Sequence, residues 1–204
     1  MKDMEIRRSF HEKELLHHHA DEHTLVIDEL GLKHGTSRAD IAVLNDQLSG
    51  YEIKSDSDSL SRLPSQIEAY NSVFDRITML ATERHLPRVW DLVPEWWGIV
   101  LCSRGEGGAV HFHTKRKPVL NRSADPLSIA QLLWRSEAVG LLEDKGEDPR
   151  TLRKPRTFLY QRLCEIMNPG ELKSAVTSCL RKRKNWRCPE PPFRCGDSSL
   201  PDAK

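Results

Sequence analysis

No hydrophobic run in the chain approaches the roughly 20 residues that a membrane span needs, and Met1-Lys2-Asp3-Met4 begins no signal peptide. An excess of either charge is also missing. The 31 Lys and Arg against 30 Asp and Glu leave a net +1, so any nucleic-acid surface must be a local basic patch rather than a whole-molecule field. The five cysteines are odd in number and scattered, which excludes a disulfide framework and predicts reduced thiols in a cytoplasm. Cys188 and Cys195 form the one close pair, but six intervening residues and no second pair argue against a zinc knuckle. There is no internal repeat. At 204 residues the chain can bury one core, with room for a small second unit.

What is present is a set of acids where an apolar strand should run unbroken. In Arg38-Ala39-Asp40-Ile41-Ala42-Val43-Leu44 a carboxylate interrupts a run that reads as buried. Tyr51-Glu52-Ile53-Lys54 then places Glu52 and Lys54 on one face of a strand and Tyr51 and Ile53 on the other. A buried lone carboxylate is expensive unless it is paired or binds a metal. Two carboxylates and an ammonium on adjacent strands suit a divalent cation and an activated water aimed at a phosphodiester. Asp40 and Glu52, with the Ile53 carbonyl, are the candidate metal ligands, and Lys54 is the candidate for stabilising developing charge or orienting the nucleophile.

The acid followed after about a dozen residues by Glu-x-Lys resembles the PD-(D/E)XK nuclease superfamily of restriction-endonuclease-like fold. Gln66-Ile67-Glu68-Ala69-Tyr70 resembles the Q-x-x-x-Y element of its RecB-like branch. The stretch from Val26-Ile27-Asp28-Glu29-Leu30 to Phe74-Asp75-Arg76-Ile77-Thr78 is similar to a small bacterial and prophage family known by an "sce" locus tag. The resemblance implies a Mg²⁺- or Mn²⁺-dependent deoxyribonuclease, DNA as partner, and phage defence or DNA repair as the setting. It also implies a third acid before Asp40, for which Glu29 on a strand and Glu14 on a helix both stand as candidates. Gln66 is a candidate for bonding a site water or phosphate.

The order of elements predicts an α/β fold: a mixed sheet flanked by helices, followed by a small all-helical unit. Helices are expected over residues 3–19, after Ser55–Ser59, over 83–92, 127–143 and 158–167, and from Glu171 to about Trp186. Strands are expected over 24–30, 38–44, 51–54, 76–81, 97–102 and 109–113. This divides the chain into a nuclease-like unit at 1–117, a helical DNA- or partner-binding unit at 118–187 that offers a route to a homodimer, and a disordered tail at 188–204.

Arg38, Arg62 and Tyr70 are candidate nucleic-acid contacts, with core packing the competing role for Tyr70. The run Arg181-Lys182-Arg183-Lys184 is either a DNA contact or charge matched to a helix C-terminus. His17-His18-His19 lies inside a helical pattern, where one histidine is able to face the site. The metal reading carries one geometric condition. Opposed residues of an antiparallel pair share a face, so Asp40 and Glu52 meet only if opposed positions sum to an even number. Leu44 opposite Tyr51 across a six-residue loop gives an odd sum. The site therefore demands a connection of odd length or a β-bulge.

Overall fold

The computed structural model describes residues 1–183. Lys184, the Cys188/Cys195 pair and the tail expected at 188–204 lie outside the described residues. In chain order the elements begin with helices α1 (Asp3–Lys13) and α2 (Leu16–Ala20). The hairpin strands β1 (Leu25–Leu32), β2 (Ser37–Leu44) and β3 (Leu48–Lys54) follow, with a short 3-10 turn at Lys33–Gly35 between the first two. Then come α3 (Leu63–Asn71), β4 (Arg76–Thr82), α4 (Leu86–Leu92), β5 (Gly98–Arg104) and β6 (Val110–Arg116). Helices α5 (Pro126–Ala130), α6 (Arg135–Asp144), α7 (Pro149–Leu152), α8 (Arg156–Ile166) and α9 (Pro169–Lys182) complete the described chain.

The six strands form one sheet in sequence order. β3 pairs β4 and β4 pairs β5 in parallel, with α3 and α4 as the crossovers, while the remaining pairs are antiparallel. This is the mixed α/β sheet flanked by helices that the sequence predicts. The helix expected over residues 3–19 breaks into α1 and α2, and the one expected over 127–143 breaks into α5 and α6.

Two hydrophobic clusters divide the sheet's faces. Ile6 and Phe10 of α1 pack on Ile41, Val43, Ile53, Leu80 and Val100. The opposite face buries Ile27, Ala42, Leu48, Ile77 and Ile99 under Leu63, Tyr70 and Phe74. The same cluster continues through Leu132, Leu142, Leu163, Leu172 and Leu180 of the C-terminal helices. Residues 118–183 thus share their core with the sheet instead of forming a separately cored unit. Asp75 locks the join, accepting from the Leu48 amide at 2.8 Å and from Lys173 Nζ at 2.6 Å.

Two local features position the site. β3 starts at Leu48, three residues earlier than expected, so Asn45–Gln47 make a three-residue connection. Leu44 opposes Leu48 and Ile41 opposes Tyr51, an even register throughout. Gly50 lets Phe74 pack directly on β3: a Cβ there would meet the Phe74 ring at 2.7 Å. In the β1–β2 pair, Asp28 opposes Ile41 and Leu30 opposes Ala39, but the ladder is interrupted between them at Glu29 and Asp40. Glu29 has a left-handed backbone (φ 58), rare for a side chain of its kind. Ile27 and Leu30, three apart, consequently point into the same cluster, as do Ala39 and Ala42. Alternation slips by one residue at this point.

Candidate active site

That slip releases Asp40's backbone from the ladder. Its N–H donates to the Tyr70 hydroxyl at 3.0 Å, and its carbonyl accepts from Arg7 Nη1 of α1. The Asp40 carboxylate enters the gap where β2 and β3 part, with Oδ2 accepting from the Ile53 amide at 2.7 Å. Both polar groups of a strand residue project towards one neighbour, so the Ile53 carbonyl lies on the same strand edge as Asp40.

Glu52 lies on the α3 face and is 1% exposed. Its Oε1 accepts from Lys54 Nζ and from Gln66 Nε2, each at 2.6 Å, and its Oε2 accepts from the Tyr70 hydroxyl at 2.6 Å. Lys54 also donates to Gln66 Oε1 at 2.9 Å. Glu52, Lys54 and Gln66 therefore form one hydrogen-bonded cluster with Tyr70, and Asp40 is joined to it by its N–H on the same Tyr70 hydroxyl. Burial, then the negative charge of Glu52, push the Asp40 carboxyl up to about 8, against the Ile53 amide and Arg7, which pull it down. Desolvation and the same two carboxylates also raise the Tyr70 hydroxyl well above its ordinary range.

Several expected contacts fall elsewhere. Tyr70 is fully buried, holding β2, β3 and α3 together through its hydroxyl, so it is unavailable to DNA. Arg183 is also taken from DNA: it donates to Glu137 at 2.6 and 2.7 Å and to the Leu132 carbonyl at 2.8 Å, and it stacks over Trp134. Arg181 bonds the His23 carbonyl, while Lys182 is exposed at the end of α9. Glu14 is exposed at the C-cap of α1 and does not enter the cluster. Glu29 does, accepting from Arg7 at 3.1 Å and lying 3.7 Å from Arg38. Of the three consecutive histidines, His19 faces inward, bonded at 2.9 Å to His11, whose other ring nitrogen meets Asp28 at 3.0 Å.

Arg7 is the residue that sequence reasoning passed over. Its guanidinium sits among Asp3 (3.3 Å), Asp28 (3.7 Å), Glu29 (3.1 Å) and Asp40 (3.4 Å). A signal was present. Asp3, Arg7 and His11 recur every fourth residue, beside the apolar pair Ile6 and Phe10, so they form a polar stripe along the buried edge of α1.

Whether these residues fit a divalent cation follows from their donors. Burial first, and then the charge of Glu52, raise Asp40, and Arg7 does not cancel the shift. Three donors occupy Glu52, leaving one of about four lone-pair positions, and Asp40 Oδ1 has only the 3.4 Å contact. Among the described residues no group of three or more His, Cys, Asp or Glu converges in metal-holding geometry. An ion here would complete its shell with a carbonyl, water and phosphate, the usual habit of Mg²⁺. On that count the two carboxylates fit.

Among the described residues no helix is long and apolar enough to cross a membrane. Comparison with known proteins gives a family. Protein cII of Enterobacteria phage P4 is 29% identical over 121 residues, covering 59% of this chain and 46% of that protein, so the chain spans about half the length of that relative. Among solved structures, SPO1766, a protein of unknown function from Silicibacter pomeroyi, aligns with a TM-score of 0.42 and 14% identity over 73% of this chain and 97% of its own. The family model described as bacteriophage P4 protein cII matches residues 3–188, nearly the whole chain, and the chain belongs to that family.

Proposed function

We propose that the chain is a metal-dependent phosphodiesterase acting on DNA, with Asp40, Glu52 and Lys54 as its PD-(D/E)XK set. The observation that supports this is the buried set of Glu52, Lys54 and Gln66, with Asp40 joined to it through the shared Tyr70 hydroxyl and its carboxylate on the amide of Ile53, between Glu52 and Lys54. Asp40, Glu52 and the Ile53 carbonyl would hold Mg²⁺ or Mn²⁺, with Glu29 at the rim. Such an ion supplies charge neutralisation at phosphate and a lowered pKa for its water. Lys54 spends two N–H groups on Glu52 and Gln66 and keeps a third for a phosphate oxygen. Gln66 positions both neighbours, accepting from Lys54 and donating to Glu52.

Membership of a family named for a bacteriophage protein supports a phage or prophage setting in a bacterial cytoplasm, where defence or DNA repair would employ such an activity. The test is cleavage of duplex plasmid and single-stranded circular DNA in Mg²⁺ or Mn²⁺. Asp40→Asn, Glu52→Gln and Lys54→Ala should each abolish it, with Lys54→Ala still binding the ion. Undiminished cleavage by any of the three refutes the assignment.

One observation favours a second reading, a non-catalytic nucleic-acid-binding or assembly protein on the same scaffold. Three donors already satisfy Glu52, and Arg7 already sits on Asp40, so both carboxylates have partners without an ion. Calorimetry separates the two: the second reading predicts no heat of Mg²⁺ binding that depends on Asp40.

A further inference from the structure

Positive charge in the C-terminal helices is concentrated in one place. From Pro149 to Cys164, through α7 and most of α8, the sequence carries five cations and no acid, in a chain whose net charge is +1. Arg162 is already committed, 2.6 Å from Glu147 and 2.9 Å from Glu165. The other four are not. Arg150, Arg153, Lys154 and Arg156 are exposed, and among the described residues none of their side chains makes a hydrogen bond or ion pair. Exposed Arg135 of α6 braces the same surface from behind, donating to the Leu152 carbonyl at 2.9 Å and the Lys154 carbonyl at 3.3 Å.

Helix stabilisation does not account for this placement. Cations favour the C-terminal end of a helix, yet Lys154 and Arg156 stand at the start of α8, the positive end of its dipole. Like charges gathered without an acid also repel one another in the free protein, and a polyanion relieves that repulsion. The surface adjoins the candidate active site through the β1–β2 turn. Lys33 of that turn lines the opening beside Asp40 and Gln66, together with Arg38 and Arg62. The next residue, His34, stacks its ring on Tyr160 of α8 at 5.6 Å. Arg156 lies one helical turn before Tyr160, and after desolvation it is the charge that lowers the His34 pKa.

We infer that α7 and the start of α8 form a phosphate-binding surface for DNA, which holds the backbone beyond the segment lying at Asp40. The choice of DNA among polyanions rests on the phosphodiesterase reading above; the unpaired cations do not. Contacts from Arg150, Arg153, Lys154 and Arg156 to phosphates supply affinity and register without sequence preference. The surface takes the place of the Arg181–Lys184 run, in which Arg181 and Arg183 are already bonded within the fold.

The test measures binding in EDTA, so that it stands apart from chemistry. Fluorescence anisotropy of the full chain on a labelled DNA duplex is followed from about 50 to 200 mM NaCl. Each phosphate contact adds about 0.9 to the slope of log Kd on log salt. Combining Arg153→Ala, Lys154→Ala and Arg156→Ala should therefore lower the slope by about 2.7 and leave the melting temperature unchanged. Each single substitution should lower it by about 0.9. Arg162→Ala, which removes a cation already paired, should leave it as it was. A wild-type slope in the triple variant, or an equal fall in Arg162→Ala, overturns the inference. So does binding to phosphatidylglycerol vesicles that the triple substitution abolishes while DNA binding stays intact, since the surface then belongs to a membrane. The two ideas also fail separately. DNA binding through these residues with no cleavage in Mg²⁺ or Mn²⁺ ends the hydrolase reading and keeps the surface. Cleavage abolished by Asp40→Asn, in a chain whose DNA affinity ignores the triple substitution, keeps the hydrolase and ends the surface proposal.

Discussion

Asp40→Asn should make the metal-free protein more stable at neutral and alkaline pH, and the gain should vanish in acid. Burial and Glu52 push the folded Asp40 carboxyl up to about 8, against about 3.8 for the ordinary side chain. Below about pH 4 the carboxyl is protonated whether the chain is folded or not, and no penalty exists. Between about pH 4 and 8 the unfolded chain ionises and the folded site does not, so stability falls as pH rises; above about 8 the loss is complete. At about 1.4 kcal/mol per pH unit, the loss accumulated by pH 7 is roughly 4 kcal/mol, shared by the coupled Asp40–Glu52 pair.

Asparagine removes the charge and can still accept the Ile53 amide, but its NH₂ group then meets Arg7. We therefore expect about half of that gain, roughly 2 kcal/mol or several degrees of melting temperature for a chain of this size. Thermal unfolding in EDTA at several pH values from about 5 to 9 reads it directly: the wild-type profile should slope downward while the variant's flattens. Mg²⁺ should then restore the wild type at about pH 8 and leave the variant unmoved, because the ion favours the ionised pair. Parallel profiles for the two proteins would show that Asp40 carries no raised pKa and that the two carboxylates do not share a site.

Other perturbations test the frame around the site. Arg7→Met leaves Asp3, Asp28, Glu29 and Asp40 without their shared cation and should cost about 3–5 kcal/mol at pH 7 by urea unfolding, less in acid as those groups protonate; a loss under about 1 kcal/mol would mean solvent already screens them. Tyr70→Phe strips Glu52 and the Asp40 amide of a buried partner and should cost about 1–3 kcal/mol while leaving DNA affinity unchanged; lost affinity at full stability would restore Tyr70 as a contact. Gly50→Ala drives a methyl into the Phe74 ring and should cost about 1–3 kcal/mol, part of which Phe74→Leu returns in the double variant; an unaffected melting temperature would show that the β3–α3 approach is looser than its 2.7 Å contact.

The sheet and its helices were legible because they rest on periodicity. Apolar positions two apart in β2 and three or four apart in α3 determine which face is buried, and those faces are buried in the structure. The even register was legible as a condition, since parity follows from alternation alone, but its means was not. Asn45-Asp46-Gln47-Leu48-Ser49-Gly50 reads as one polar connection, yet Leu48 is fully buried and Gly50 lies under Phe74, so tertiary packing draws the second half into β3. For Tyr70 the structure selects core packing over the DNA contact, and the role of its hydroxyl was out of reach for a related reason. A helix stripe identifies a buried face, but not that a hydroxyl on it will find two carboxylate neighbours.

Arg7 was illegible for a different reason, and the difference bears on where sequence reasoning stops. Alternation assigns Glu29 and Asp40 to a face, and both would follow the rule in a regular ladder. The left-handed backbone at Glu29 breaks it, pointing Leu30 and Ala39 into the core that Ile27 and Ala42 already occupy. Two acids and one free carbonyl are left at the interruption, facing the edge of α1. A buried concentration of negative charge of that kind is untenable without a cation. Asp3, Arg7 and His11 supply one along a single stripe, with Asp28 joining from the strand. The stripe acquires its meaning from the slip in the strands, and the slip is not visible in the composition of either strand. An acid that interrupts an apolar strand is therefore also grounds to look on the neighbouring helix for a polar residue every fourth position. In this chain that rule points to Arg7, whose guanidinium bonds the Asp40 carbonyl and carboxylate together.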